Sequence, residues 1–243
     1  MTRLPSLGCL RDRILQETRR RQTPIVPSTA PMPSIDRHNG AYLINPSGDL
    51  TATQSRFEES LKKLSDWDAI VRREPSEGEM RTALESKDIF LYFGHGSGSQ
   101  YIRSRTFKKL DKCAVALLMG CSSGALTEAG EYESYGTPID YMHAGSPAVL
   151  ATLWDVTDKD IDRFSHTVLE KWGLFEEPQP DMSSSPVKKG NKARGKGKAR
   201  DAKMTELERR SLDQAVAEGR DSCIMKYLNG AAPVIYGIPV MLS

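Results

Sequence analysis

The chain has 243 residues, 38% of them hydrophobic and 27% charged, which is enough for one domain with a substantial core. Its 34 basic residues nearly balance 32 acidic ones, so the chain as a whole is no general polyanion binder. Four scattered cysteines (9, 113, 121, 223) without metal-type spacing argue against a disulfide framework or zinc site, and the lack of a membrane-length apolar run or signal-type core leaves cytosol or nucleus as the expected compartment.

Residues 9–22 fit a helix with Leu10, Ile14 and Leu15 on one side. Four prolines between Pro24 and Pro33 then break regular structure. Residues 41–45 read as a short strand, closed by Pro46-Ser-Gly48. Residues 53–66 fit an amphipathic helix through Phe57, Leu61 and Leu64, and 77–86 a second one. Two apolar runs follow, Ile89-Phe-Leu-Tyr-Phe93 and Ala114-Val-Ala-Leu-Leu-Met119, which read as buried strands. The basic residues between them (Arg103, Arg105, Lys108, Lys109, Lys112) read as a solvated face. After residue 121 comes a polar loop, then a helix near 138–144 with Thr137 as N-cap and Pro138 at its first position. Residues 147–154 make a third buried strand, and a helix runs from about Asp158 to Lys171. Strand–helix alternation of this kind implies a parallel or mixed sheet with helices on its faces.

The composition changes at 176–203. Residues 188–200 hold seven basic residues and no acid, amid Pro, Ser and Gly, and are expected to be disordered. A loop insertion is the favoured reading; a nuclear-import or nucleic-acid patch is the alternative, and no nucleic-acid contact is expected elsewhere. A helix at 205–229, ended by Gly230, and a last strand at 233–242 complete the chain. The prolines of that strand suit an edge or near-edge position. The organisation is thus 1–175 as the first part of a core, 176–203 as a basic linker, and 204–243 as the remainder of the same domain.

Two side chains stand out. His95 and Cys121 each close an apolar run and are flanked by glycine. If both strands are parallel, both residues emerge at one carboxyl edge, where open α/β sheets place ligands. A lone Cys there is ordinarily a small buried hydrophobe, and a lone His a satisfied polar residue. Together, a thiol and an imidazole make a nucleophile with its base. Ser122 and Ser123 lack the G-x-S-x-G elbow of a serine nucleophile.

At Phe93-Gly-His95-Gly96, Met119-Gly-Cys121-Ser-Ser-Gly124 and Ala151-Thr-Leu-Trp-Asp155-Val-Thr-Asp158 the chain resembles the separases, caspase-like cysteine proteases that cleave the kleisin subunit of cohesin at anaphase. The resemblance starts near Arg3-Leu-Pro-Ser-Leu7, extends through Tyr227-Leu-Asn-Gly230 and Tyr236-Gly-Ile-Pro239, and omits only the basic linker. It implies an α/β, caspase-like sheet of mostly parallel strands with helices on both faces. It implies a dyad, since His95 and Cys121 match the family's catalytic positions one for one. It further implies cleavage after Arg, usually with Glu three residues earlier, inhibition by securin as a pseudosubstrate, and action in nucleus and cytoplasm without cofactor, metal or membrane. The Q-A-C-x-G pattern of the caspases themselves is absent around Cys121. The family's Pro-Trp-Glu-Ser-Leu segment and its preceding strand are not found ahead of Arg3. A truncated, inactive module that binds securin-like segments is therefore the alternative expectation.

Within the resemblance, Cys121 is the nucleophile and His95 its base, and no Asp or Asn is singled out as a third member. Strand-end geometry offers the backbone N–H groups of Gly96 and Cys121 as oxyanion donors. A P1 Arg requires a partly buried carboxylate. Asp155, Asp158 and Asp162 are the candidates, with Trp154 as a pocket wall, while Asp160 is expected to point to solvent.

Overall fold

The computed structural model describes residues 2, 3, 11, 15, 33–175 and 210–243. Arg11 and Leu15 are helical; the rest of the helix expected at 9–22, and the basic linker, lie outside the described residues.

Among the described residues, the following strands and helices have defined bounds and are given in chain order. They are β1 (Thr2–Arg3), β2 (Ser34–Ile35), β3 (Gly40–Ile44), α1 (Thr51–Lys62), β4 (Asp68–Val71), α2 (Glu77–Ser86) and β5 (Ile89–Phe93). Next come α3 (Ser104–Phe107), β6 (Val115–Met119), β7 (Thr127–Ala129), β8 (Tyr132–Tyr135), α4 (Thr137–His143) and β9 (Ala148–Thr152). The last are α5 (Asp158–Trp172), α6 (Leu212–Gly219), β10 (Pro233–Gly237) and β11 (Met241–Leu242). The main sheet has the order β1-β10-β9-β6-β5-β3-β4. β4, β3, β5, β6 and β9 run parallel, and β10 lies antiparallel beside β9. The sheet is therefore mostly parallel, in an α/β architecture.

Every residue of β3, β5, β6, β9 and β10 is buried. Alternate side chains explain this, because each face has its own core. Ile89, Leu91 and Phe93 pack with Phe57 and Leu61 of α1 and with Phe164, Val168 and Trp172 of α5. Phe90 and Tyr92 pack with Met80 and Leu84 of α2 and Tyr141 and Met142 of α4. Helices thus cover both faces, which is why these strands read as unbroken apolar runs.

Local chemistry sets the boundaries. Ser76 opens α2 with a capping box: its Oγ accepts from the Glu79 N–H, and its own N–H donates to Glu79. α5 ends at Gly173 in the left-handed region. α4 begins one residue earlier than expected, with Thr137 inside the helix, because the Thr137 hydroxyl is held by Ser97 Oγ at 2.8 Å and is not free to cap.

Three expectations need correction. The strand at 233–242 is two strands. Gly237 has φ +125 and lies so close to Pro147 that a Cβ would meet its carbonyl oxygen at 2.2 Å; the chain turns there, and β11 pairs with β2 in a separate sheet. The helix expected to reach residue 229 ends at Gly219, followed by a 3₁₀ turn at Arg220–Ser222. The polar loop after Cys121 contains the hairpin β7–β8.

Candidate active site

The first functional side chains come from the carboxyl ends of adjacent parallel strands. Phe93 of β5 is in register with Met119 of β6. His95 and Cys121 each follow two residues later, so they leave the same edge side by side. Gly120 makes that approach close. A Cβ on Gly120 would meet Gly96 O at 2.1 Å and Gly94 O at 2.4 Å. The backbone on either side of His95 therefore lies against the backbone just before Cys121, and only glycine fits between them.

Each loop is pinned from behind. Tyr92, buried on the α2 face, donates its hydroxyl to His95 O at 2.6 Å. In the other loop, Ser123 Oγ donates to Leu118 O and accepts from the Thr152 N–H, while Thr152 Oγ1 donates to Gly120 O at 2.6 Å. The Tyr236 hydroxyl donates to Gly124 O. Ser122, the residue after the thiol, has φ +53, a left-handed backbone that its N–H bond to Trp154 O helps hold. Buried hydrogen bonds thus fix both loops to the sheet, as a preorganised site requires.

The imidazole has a partner that the sequence did not reveal. Asp49 Oδ2 lies 2.8 Å from His95 Nε2. Asp49 follows the turn after β3, the strand beside β5 on the side away from β6. Asn45, fully buried with φ +52, shapes that turn: its Oδ1 accepts from the Leu50 N–H and its Nδ2 donates to Gln54. The hydrogen bond to His95 is the main influence that holds the Asp49 carboxyl below its ordinary value. A carboxylate at Nε2 favours the proton there and leaves Nδ1 as the ring's free acceptor.

Cys121 is the one described cysteine that is only partly buried, since Cys113 and Cys223 are enclosed. Its Sγ lies 3.1 Å from Val156 O, and its side chain packs against the α1–α5 core. Burial pushes the Cys223 thiol up to about 11, so it stays a neutral thiol. Among the described residues, the N–H groups of Gly96 and Cys121 donate to no backbone carbonyl. A Cβ at Gly96 would meet nothing within 4 Å, so the space above it is open.

The acidic residues beyond β9 separate into different roles. Asp155 is exposed and accepts from Ser122 Oγ at 2.6 Å. Asp158 is exposed at the start of α5. Asp162 is buried between α5 and α1, where its Oδ2 accepts from Thr53 Oγ1 at 3.0 Å. Its Oδ1 takes no hydrogen bond among the described residues. Burial raises its carboxyl to about 6, against the lowering influence of Thr53 and Arg56. Trp154 is part-exposed, with its indole N–H on Leu228 O.

Asp160 overturns the expectation that it points to solvent: it is 2% exposed. It accepts from the Ile224 and Met225 N–H groups at 2.9 and 3.1 Å, from Asn229 Nδ2 at 2.9 Å and from Arg163. Burial opposes its charge, but these donors outweigh it and keep the carboxyl below its ordinary value. The same carboxylate explains the short α6, because it engages amides that a continuing helix would use. Asp160→Asn places an amide N–H₂ among donors. It is expected to cost about 3 kcal/mol, read as a fall of roughly 10 °C in melting temperature.

A family model described as the separin protease domain matches residues 1–161. The chain is 53% identical over 237 residues to the separin of Emericella nidulans, covering 98% of this chain and 10% of that protein. It is 43% identical over 242 residues to the separin of Schizosaccharomyces pombe, covering 100% and 11%. It therefore spans about a tenth of the length of the curated relatives it matches. Among solved structures, separase in the Saccharomyces cerevisiae separase–securin complex matches with a TM-score of 0.78 at 34% identity, over 100% of this chain and 14% of that one. The complex of Porphyromonas gingivalis RgpB pro- and mature domains matches at TM-score 0.58 and 14% identity, over 97% and 53%. That second likeness is one of fold alone and agrees with a caspase-like α/β sheet.

Proposed function

The chain belongs to the separin protease-domain family, and on that premise we propose that it is the catalytic part of a cysteine endopeptidase that cuts the cohesin kleisin subunit after Arg in Glu-x-x-Arg sites. The observation that carries the reading is the close backbone approach of the His95 and Cys121 loops at the ends of β5 and β6, sealed by Gly120.

In this mechanism His95 takes the proton of Cys121, and the thiolate attacks the carbonyl carbon of the P1 Arg. The oxyanion is met by the Gly96 and Cys121 N–H groups in the open space above Gly96. His95 then protonates the leaving amine, and water, deprotonated by His95, releases the acyl group from sulfur. Asp49 acts through His95: by accepting from Nε2–H it orients the ring and leaves Nδ1 as the nitrogen that would take the thiol proton once Cys121 Sγ leaves Val156 O, its partner in this structure. As an exposed positioning residue it is worth a modest amount. Asp49→Asn is expected to lower kcat about tenfold with KM little changed, and to alter the acid limb of the pH–rate profile. Steady-state kinetics across pH 5–9 would check this.

Asp162 is the favoured P1 ligand. Its ionised form is disfavoured where it sits, and among the described residues one of its oxygens accepts no hydrogen bond, so a guanidinium would satisfy both. Asp155 is already engaged by Ser122, and Asp158 lies in solvent at a helix start, where it complements the dipole. Trp154, with its indole N–H on Leu228 O and its carbonyl on the Ser122 N–H, is the proposed pocket wall. The likeness to a separase–securin complex supports securin as a partner; in the same proposal securin inhibits as a pseudosubstrate, and the enzyme acts in nucleus and cytoplasm. The test is a kleisin fragment with one Glu-x-x-Arg site. It is expected to be cut after the Arg, and not after that Arg is replaced by Glu; cleavage indifferent to the Arg would defeat the reading.

A further inference from the structure

An apolar surface beside the proposed site plays no part in the mechanism above. Residues 224–228 follow the 3₁₀ turn after α6, and four of them present large apolar side chains to solvent. Ile224 is 72% exposed, Met225 40%, Tyr227 98% and Leu228 54%. Such exposure is unusual for side chains of this size in a contiguous group. The loop is not loose. Asp160 accepts its first amides, Asn229 is fixed to Asp160 and Thr157, and Arg220 donates to Gly230 O and Pro233 O, each at 2.6 Å. A buried carboxylate and a half-buried guanidinium hold a backbone whose apolar side chains make no use of the core.

The surface is continuous with the proposed site. Leu228 O accepts the Trp154 indole N–H. Trp154 O accepts from the Ser122 N–H, and Val156 O faces Cys121 Sγ. Direction follows from the strand order β10-β9-β6-β5. His95, at β5, must reach the leaving amine, so the leaving side of a bound peptide lies toward β5. The acyl side then crosses Cys121 in the opposite direction, over β9 and β10, where this loop stands.

We infer that Ile224, Met225, Tyr227 and Leu228, with Trp154, form a subsite for apolar side chains in the residues just before the P1 Arg of an extended substrate peptide. The inference rests on the proteolytic reading above. A rigid apolar platform fits this occupant because it can bury a side chain without ordering the loop anew. Burial of one Leu-sized side chain against it gives roughly tenfold or more in affinity.

The experiment measures binding, which does not depend on turnover. The full chain carrying Cys121→Ser is titrated with two labelled peptides, one with Leu-Leu and one with Gly-Gly immediately before the Arg. The Leu-Leu peptide is expected to bind at least tenfold tighter. In the added double variant Ile224→Ser/Tyr227→Ser, that ratio is expected to fall close to one, with the Gly-Gly peptide and the melting temperature unchanged. Equal affinities in the parent, no measurable binding of either peptide, or a ratio that survives the double variant would overturn the inference. Cys121-dependent cleavage of the Gly-Gly peptide by the unmodified chain would still uphold the protease reading, so the two failures are separable.

Discussion

Asp162→Asn is expected to lower kcat/KM for cleavage after Arg by about a thousandfold while making the protein more stable at alkaline pH. The two effects have one cause. Burial raises the Asp162 carboxyl to about 6 from an ordinary 3.8. The folded state therefore holds this proton more tightly than the unfolded state does. Stability falls as pH rises from about 4 through 6, and above that the ionised group is a standing cost. That gap corresponds to about 3 kcal/mol, or on the order of 2 once partial access to water is allowed for. Asn removes the cost, so the melting temperature should rise by roughly 5 °C at pH 8 and change little at pH 4. A guanidinium bound at the same carboxylate gains what the empty site lacks, and losing one partner of such a pair costs about 3–5 kcal/mol. Reactivity of Cys121 toward a small alkylating agent should be unchanged. Higher stability with normal Arg cleavage would make Asp162 a structural cost only and return the P1 role to Asp155.

Cys121→Ser is expected to abolish cleavage, by a thousandfold or more, while Cys113→Ser and Cys223→Ser leave kcat/KM within about threefold. Cys113 and Cys223 are both enclosed, with Cys113 in the α2–α4 core and Cys223 against the α5–α6 core. Burial raises the Cys223 thiol to about 11, which suits a packing residue. Cys121 alone of the three combines partial exposure with a strand-end position. Replacing either enclosed thiol by a hydroxyl should show instead as a loss of stability, read by thermal melts, since a buried hydroxyl needs a hydrogen bond. Any turnover remaining in Cys121→Ser above that of the chain inactivated at His95 would point to a different nucleophile.

What was legible in the sequence was legible for a physical reason. β5, β6 and β9 are buried on both faces, so their apolar runs are continuous and their ends are marked by glycine and serine. That also made His95 and Cys121 visible as strand-end residues. β4 was not seen: it is a four-residue edge strand, largely exposed, without apolar alternation. Asp49 was hidden because it sits in a polar turn, and its relation to His95 exists only because β3 lies next to β5. The signal that could have found it is its position just past a strand end, shared with His95 and Cys121. Asp160 looked like an ordinary helix-start acid. Its burial is imposed by residues 224–229, distant in sequence, and that same contact shortens α6. Local pattern reports local burial; a carboxylate that draws in a remote loop leaves no periodic trace.

The central claim is that His95 activates Cys121 at a site that selects Arg. Its most direct test is the rate at which a peptidyl-Arg electrophile labels the protein, followed by mass mapping of the modified residue. The account predicts labelling at Cys121, outcompeted by an Arg-ending peptide and lost in His95→Ala. Labelling of Cys121 at an undiminished rate in His95→Ala, or label found on Cys113 or Cys223 instead, would contradict it.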